Sequence, residues 1–384
     1  MTVTVAKGFV AAGVAAGLKK SGNKDVSLVV NQGPRKAAAA VFTSNRCLAN
    51  PVLWSKQVIT DGAVEAIILN SGGANCYTGS EGFQTTHATA EKVAELLKIS
   101  AGDVLVCSTG LIGDQLDRPK LLAGVEAAAA GLSAENGLQA AEAIMTTDSV
   151  SKTAQRSSAT GWVIGGMAKG AGMLAPGLAT MLVVITTDAD LPSHILDSAL
   201  RSATRVTFDR LDSDGCMSTN DTVALMASGA SGVEADPQEF VQLLTEVCQD
   251  LALQLLGDAE GSSHDIAIAV TGAASEADAV EVGRSVARNN LFKAAIYGND
   301  PNWGRILAAV GTTSAEFDPY NIDVSINGVS VSRLGQPDQS RDLVDLTGRR
   351  VDIGINLNVG TAAATIYTND LTHKYVTENS EYSS

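Results

Sequence analysis

The clearest pattern in the chain is a short apolar run that follows a loop rich in glycine and proline. Residues 181–185 are continuous, apolar and rich in β-branched side chains, which predicts a buried strand. The loop before them begins at Lys169 and ends with the step Ala179-Thr180. Thr180 is therefore predicted to lie where a bending loop enters a rigid central strand, the placement that an acyl-transfer nucleophile needs.

Short apolar runs and helical periodicities alternate along the rest of the chain. They predict strands at 26–30, 37–42, 66–69, 104–107, 266–270, 322–326, 351–357 and 362–367, and helices near 81–98, 119–131, 134–145, 192–203 and 237–256. Aromatic residues make up only 4% of the chain, so the core must be aliphatic and rich in alanine. This pattern predicts an α/β protein of tightly packed layers, with a smaller sheet-rich part towards the C-terminus.

Composition narrows the class of protein further. The chain has 384 residues, 45% of them hydrophobic, which is enough for a large core and for two or three domains by length. Its formal net charge of -15 argues against a nucleic-acid or anionic-membrane partner, and an anionic substrate would need a local cation. No signal peptide and no long apolar run is visible, so we expect a soluble cytoplasmic protein.

The cysteines and histidines are too scattered to suggest a disulfide framework or a metal site. No two cysteines form a CxxC pair, and we expect all five to be buried thiols. No metal is expected. The residues concerned are Cys47, Cys76, Cys107, Cys216, Cys248, His87, His194, His264 and His373.

The loop and strand around Thr180 resemble a known motif. The run KGAGMLAPGLATML, residues 169–182, is similar to the self-cleavage and nucleophile motif of the ornithine acetyltransferase family, the glutamate N-acetyltransferases of the cyclic arginine pathway. The resemblance implies a cut before Thr180, giving an α fragment 1–179 and a β fragment 180–384. These fragments would form one intertwined, layered sandwich of helices and mixed β-sheets, with a smaller C-terminal α/β subdomain at about 285–384.

The chemistry of the cut follows from the residues themselves. Thr180 Oγ attacks the Ala179 carbonyl, the peptide becomes an ester, and water releases a free α-amine on Thr180. An α-amine titrates near ~7.7–8.0, so at neutral pH it can take the proton of its own hydroxyl. No Ser-His-Asp set is then needed. Without the resemblance, a Gly-rich turn before a core strand explains the same residues equally well.

The strand at 104–107 opens into Thr109-Gly110, which sets a hydroxyl beside a backbone N–H. Such a pair suits an oxyanion hole, although a plain strand-to-helix turn is the simpler interpretation of these residues alone. The resemblance implies that Thr109 and Gly110 do form the oxyanion hole.

Apart from Lys169, which is proposed as the local cation for an anionic substrate, the substrate contacts come from the resemblance alone. We further expect Lys169 to bind a substrate carboxylate and Glu260 to meet an amine; otherwise Glu260 is a solvated turn carboxylate and the tail is frayed. The residues implied are Thr146, Lys169, Thr180, Glu260, Asn379 and Ser384.

Three other stretches can be compared with the same family. Residues 212–222 are predicted to be a supporting loop. The run at 300–305 is predicted to be a turn with Trp303 packed beneath it and Arg305 able to pair a carboxylate. Gly73 departs from the family pattern and receives no role.

The resulting prediction is ping-pong transfer of acetyl from N-acetylornithine to glutamate through acetyl-Thr180. No cofactor is expected, and the sequence leaves open whether acetyl-CoA is a further donor. The family implies an α2β2 or larger assembly.

Two alternatives remain at this point. An N-terminal-nucleophile aminopeptidase or amidase would cut itself similarly but pass the acyl group to water. An anion-binding module would use residues 169–172 as a phosphate cradle, but Lys169 precedes its glycine, unlike the lysine of a P-loop.

Overall fold

The structure is a computed structural model that describes residues 2–174 and 181–381. The chain divides into two compact units. The first comprises Met1–Ala171, Gly177–Asp209 and Met217–Asp258, and the second comprises Gly172–Pro176, Arg210–Cys216 and Ala259–Ser384.

Strands and helices alternate through the first unit. In chain order they are β1 (Phe9–Val14), β2 (Val26–Asn31), β3 (Ala37–Phe42), α1 (Asn50–Val58), β4 (Ala66–Ser71), α2 (Gly79–Leu97), β5 (Val104–Thr109), α3 (Arg118–Ala130), α4 (Gly137–Ala143), β6 (Lys152–Ser157), β7 (Val163–Lys169), β8 (Leu182–Thr187), α5 (Ser193–Val206), β9 (Thr222–Ala227) and α6 (Pro237–Gly257).

These elements form two mixed sheets. One has the order β1-β2-β4-β5 and the other the order β3-β9-β8-β7-β6, which makes β8 the central strand of five. β8 runs antiparallel to β7 and parallel to β9. The predicted central strand after Thr180 is thereby confirmed, although it begins at Leu182.

Side-chain alternation explains how the sheets stack. In β2, Val29 belongs to a core shared by the two sheets, whereas Leu28 and Val30 face a second core that includes residues of α2 and α3. Leu182 and Val184 of β8 also point into the shared core. On the outer face of the other sheet, α6 packs on β6 and β7 and α5 packs on α6. The unit is thus a layered α/β sandwich, as predicted.

The second unit is built on one mixed sheet of order β13-β12-β11-β14-β10-β15. Its elements are β10 (Asp265–Ala273), α7 (Glu276–Ala287), α8 (Asn290–Tyr297), α9 (Trp303–Val310), β11 (Asp323–Ile326), β12 (Val329–Arg333), β13 (Gln336–Pro337), β14 (Arg350–Asn356), β15 (Ala362–Asn369) and α10 (His373–Glu381). Its core joins aliphatic side chains of β10, β14 and β15 to those of α7, α8 and α9. The predicted smaller α/β part at the C-terminal end is present.

The structure corrects several local predictions. Lys169 is the last residue of β7 and does not lie in a loop. The segment after α4 bends at residues 146 and 147, and β6 starts only at Lys152. Cys47 and Cys216 are exposed, whereas the other three cysteines are buried as expected.

The run at 300–305 also differs from its prediction. Trp303 opens α9 and packs against the core of the second unit. Arg305 donates from Nη1 to the backbone carbonyl of Leu291 at 2.5 Å. The contact that the structure gives for Arg305 is therefore to a backbone carbonyl, and its pairing with a carboxylate stays a prediction.

Candidate active site

Three predicted site residues meet at a buried ammonium in the first unit. Lys169 is 1% exposed, and its Nζ donates to Thr109 Oγ1 at 2.9 Å and to Thr146 Oγ1 at 3.2 Å. An ammonium donates hydrogen bonds and accepts none. Since the Thr109 oxygen accepts from Lys169, its own hydroxyl hydrogen is directed to another acceptor.

Two of these three side chains lie at the ends of strands. Thr109 is the last residue of β5 and Lys169 the last of β7. In the β7–β8 register Lys169 lies opposite Leu182, which follows Thr180 by two positions in the sequence. Rigid strands therefore hold both the ammonium and the chain that follows the predicted nucleophile.

The turn after Thr109 requires a glycine. Gly110 has φ +134°, and a Cβ on it would lie 2.6 Å from the backbone nitrogen of Gly73. Gly73 in turn donates its N–H to the Thr109 carbonyl at 3.0 Å. The glycine-rich loop after β4 thus packs its backbone against the predicted oxyanion turn.

A buried carboxylate that the sequence analysis did not single out ties the cluster together. Asp148 accepts from Thr146 N at 2.9 Å through Oδ2, and from Gly170 N at 2.6 Å through Oδ1. Oδ1 also accepts from Lys152 Nζ at 2.7 Å, and both of these side chains are fully buried. Asp148 therefore holds Thr146 and the residue next to Lys169 at once.

Burial and the neighbouring charges act on the pKa of Asp148 in opposite directions. Burial alone would raise the pKa of Asp148, but the ammonium groups of Lys169 and Lys152 hold that pKa below its ordinary value. Lys152 also pairs with Asp258 at 2.6 Å. The only sequence signal for this network was the position of Asp148 two residues after Thr146.

Glu260 and Asn379 come together in the second unit. Asn379 Nδ2 donates to Glu260 Oε2 at 3.0 Å, and α10 carries Asn379 on its exposed side. A Cβ on Gly172 would lie 2.4 Å from Glu260 Oε2, so the carboxylate packs directly on that glycine. The tail, for which fraying was the alternative to substrate contact, is helical up to Glu381.

Glu260 also lines a cavity of about 410 Å³ in the second unit. Its wall carries both signs of charge and a tyrosine hydroxyl, which suits a zwitterionic ligand. The lining residues are Ser213, Asp214, Gly215, Glu260, Arg288, Asn290, Lys293, Asn369, Asp370, Leu371 and Tyr375.

Ala179, Thr180 and Ser384 lie outside the described residues, so the predicted cleavage site, the nucleophile and the last substrate contact stay predictions. Within 2–174 and 181–381, no group of three or more His, Cys, Asp or Glu side chains is placed to hold a metal ion. No helix in these ranges has the length and apolarity needed to cross a membrane.

Several known proteins are similar to this chain over its whole length. The ArgJ family model matches residues 10–384. The arginine biosynthesis bifunctional protein ArgJ of Streptomyces avermitilis is 63% identical over 384 residues, covering 100% of both chains. The protein of the same name from Thermobifida fusca is 61% identical over 383 residues, again covering 100% of both.

Among solved structures, the ornithine acetyltransferase of Mycobacterium tuberculosis, crystallised with ornithine, is 53% identical at a TM-score of 0.45. The match covers 47% of this chain and 96% of that one. The arginine biosynthesis bifunctional protein of Bacillus halodurans is 35% identical at a TM-score of 0.49, covering 51% of this chain and 96% of that one.

A layered α/β fold, a cluster of hydroxyl groups around a buried ammonium, and these full-length relatives define an acyltransferase of arginine biosynthesis that acts on small molecules. The chain belongs to the ArgJ family. The predictions of this family and of an acyltransferase are confirmed.

Proposed function

We propose that this chain is a glutamate N-acetyltransferase that moves acetyl from N-acetylornithine to glutamate. The observation that carries the proposal is the contact of Lys169 Nζ with the hydroxyls of Thr109 and Thr146. It brings the cation at the end of β7 together with a hydroxyl at the end of β5 and a hydroxyl in the bend at Thr146. The strand that pairs with β7 is β8, which follows Thr180 in the sequence. Family membership and relatives that cover the whole chain support the same reaction.

The reaction begins with self-cleavage before Thr180. In the cut protein, Thr180 Oγ attacks the acetyl carbonyl of N-acetylornithine while the α-amine of Thr180 takes the hydroxyl proton. Thr109 and the N–H of Gly110 stabilise the oxyanion. The carbon–nitrogen bond breaks, ornithine leaves with the proton, and an acetyl ester remains on Thr180. The amine of glutamate then attacks that ester and releases N-acetylglutamate.

Substrate recognition is divided by charge. Lys169 binds a substrate carboxylate and Glu260 meets a substrate amine, while Thr146, Asn379 and Ser384 are further substrate contacts. The net charge of -15 makes such a local cation necessary for an anionic substrate. No cofactor takes part; acetyl-CoA would enter only as an alternative acetyl donor. The fragments 1–179 and 180–384 stay folded together in a cytoplasmic α2β2 assembly.

Two measurements on the wild-type protein test the proposal. Intact mass under denaturing conditions, with N-terminal sequencing, should give two fragments, the second beginning Thr180-Met181-Leu182. Acetyl exchange between N-acetylornithine and labelled glutamate should be fast, and hydrolysis of small peptides slow. A single uncut chain would refute the nucleophile, and rapid peptide hydrolysis without exchange would favour the aminopeptidase alternative.

Replacing Thr109 by valine should lower kcat for acetyl transfer by about 10²–10³-fold, because one oxyanion donor is lost while the side-chain shape is kept. Thr109→Ser should retain most of the activity. The matched control is Thr89→Val, which removes another buried hydroxyl of the same unit, bonded to the Thr85 carbonyl at 2.8 Å. Unchanged kcat in Thr109→Val would remove this residue from the oxyanion hole.

A further inference from the structure

Met181 directly follows the predicted nucleophile, and both its backbone N–H and its carbonyl form hydrogen bonds. Met181 N donates to Asp221 Oδ1 at 3.1 Å, and Thr222 N donates to the Met181 carbonyl at 3.2 Å. Asp221 is 1% exposed and Met181 is equally buried. The start of β8 is therefore anchored to Asp221 one peptide away from Thr180.

Asn220, the residue before Asp221, makes hydrogen bonds to the chain beside the predicted oxyanion turn Thr109-Gly110. Asn220 Nδ2 donates to the carbonyls of Ala74 at 2.6 Å and Ser108 at 2.8 Å. Ser108 immediately precedes Thr109. The Thr219 hydroxyl donates to Asn220 Oδ1 at 2.6 Å, which turns the two amide hydrogens towards those carbonyls.

The segment that carries both side chains is itself rigid. Thr43 donates from Oγ1 to the Ser218 carbonyl at 2.7 Å and from its N–H to the Asp221 carbonyl at 3.0 Å. Ala49 N donates to the Thr219 carbonyl at 3.1 Å. The segment continues directly into β9, which pairs with β8. A displacement of either anchor would thus be transmitted to both strands.

We propose that Asn220 and Asp221 are positioning residues that set the distance between Thr180 and the oxyanion turn Thr109-Gly110. Asp221 holds the nucleophile side through Met181, and Asn220 holds the oxyanion side through Ser108. The inference rests on the proposed function, since it takes Thr180 as the nucleophile. Neither side chain exchanges a proton or contacts substrate in this role.

The role requires Asp221 as a hydrogen-bond acceptor and not as an anion. Burial raises the pKa of Asp221 well above its ordinary value, and the Met181 N–H and the charge of Lys169 offset this rise only in part. A carboxyl group and a carboxamide have the same shape, and each can present an oxygen that accepts from the Met181 N–H. Asparagine should therefore replace Asp221, whereas alanine should not.

The first experiment compares Asp221→Ala with Asp221→Asn by intact mass and by acetyl-transfer kinetics. In Asp221→Ala we expect uncut chain to accumulate, and kcat of the cut fraction to fall by about 10²-fold with KM changed little, because the reacting groups are misplaced. Asp221→Asn should restore both cleavage and kcat to within about threefold of wild type, an effect expected from the retained geometry.

The control is Thr186→Val on the same strand. Thr186 is fully buried, and its Oγ1 donates to the Val3 carbonyl at 2.7 Å. Its replacement should lower the melting temperature without changing self-cleavage or kcat. A general loss of stability in β8 is thereby separated from a loss of position.

Asn220 gives a complementary test because it acts as a donor. Alanine and aspartate both lack the amide hydrogens that hold Ser108, so Asn220→Ala and Asn220→Asp should both lower kcat with little change in KM. If Asp221→Ala does not fold, Asp221→Glu serves instead, since it keeps the carboxyl but moves it by one methylene group. It too should lower kcat.

Two results would overturn the inference. If Asp221→Asn is as impaired as Asp221→Ala or Asp221→Glu, the carboxyl acts as an ionised group and not by position. If all three variants cut and turn over like wild type, Asp221 has no such role. A wild-type chain that neither cuts before Thr180 nor exchanges acetyl groups would instead refute the proposed function itself.

Discussion

Thr180→Ala should yield a folded, uncut chain that transfers no acetyl groups. Without the hydroxyl, no N-to-O shift of the Ala179 carbonyl can begin, so no free α-amine forms at position 180. The same substitution removes the acetyl acceptor, so both steps fail together. Loss of a nucleophile of this kind costs about 10⁴-fold or more in kcat, and here we expect no detectable exchange.

Thr180→Ser is the matched variant for this prediction. Serine keeps the hydroxyl and loses only the methyl group, so some self-cleavage and some acetyl transfer should remain. Denaturing mass analysis measures the cut, an exchange assay measures the transfer, and circular dichroism checks that each variant is folded. A Thr180→Ala protein that still cuts itself or still exchanges acetyl groups would show that the nucleophile lies elsewhere.

Asp148→Asn should destabilise the first unit strongly and impair substrate binding. Three donors contact the carboxylate among the described residues: Thr146 N, Gly170 N and Lys152 Nζ. An amide group in its place sets donor against donor at one of these positions and removes a charge beside the fully buried Lys152. Breaking a buried ion pair typically costs about 3–5 kcal/mol of the free energy of unfolding, and we expect the lower end of this range because Lys152 keeps its pair with Asp258.

The chain offers a control with the same spacing and the opposite environment. Asp197 pairs with Arg201 at 2.9 Å, also four residues apart, but these side chains are 45% and 62% exposed. Asp197→Asn should change the free energy of unfolding by less than about 1 kcal/mol, because water screens the pair. Urea denaturation of the two variants makes the comparison. If Asp148→Asn and Asp197→Asn lower the free energy of unfolding equally, the buried network of Asp148 contributes little to stability.

Asp148→Asn should also raise KM. Thr146 and Gly170 lose part of their support, so the Thr146 hydroxyl and the Lys169 ammonium are held less firmly. The expected increase distinguishes this variant from Asp221→Ala, in which kcat is expected to change and KM is not. Steady-state kinetics at fixed glutamate concentration would separate the two patterns.

Some strands were missed by the sequence analysis for a common reason. β1 and β7 both contain glycines, which normally weaken a strand. A Cβ on Gly13 would lie 1.9 Å from the Gln139 carbonyl oxygen, and one on Gly165 would lie 2.3 Å from that of Thr2. Close backbone packing from distant parts of the chain requires these glycines, and no local pattern reveals it.

The predictions made from the sequence by itself concern properties of contiguous residues. The aliphatic run after Thr180, the α/β alternation and the motif at 169–182 all lie within short stretches, so periodicity and resemblance were sufficient for the fold class and the family. Thr109 and Thr146 were named individually from the resemblance, and Lys169 from the need for a local cation beside an anionic substrate.

Only the tertiary structure decided which of these side chains meet. Lys169 contacts Thr109 across 60 residues of sequence, and Asn220 contacts Ser108 across 112. Such contacts depend on how strands from separate segments are ordered and stacked, which hydrophobic periodicity does not encode. The buried charges of Asp148 and Lys152 were missed for the same reason: their burial and their partners, which shift the pKa of Asp148, exist only once the layers have packed.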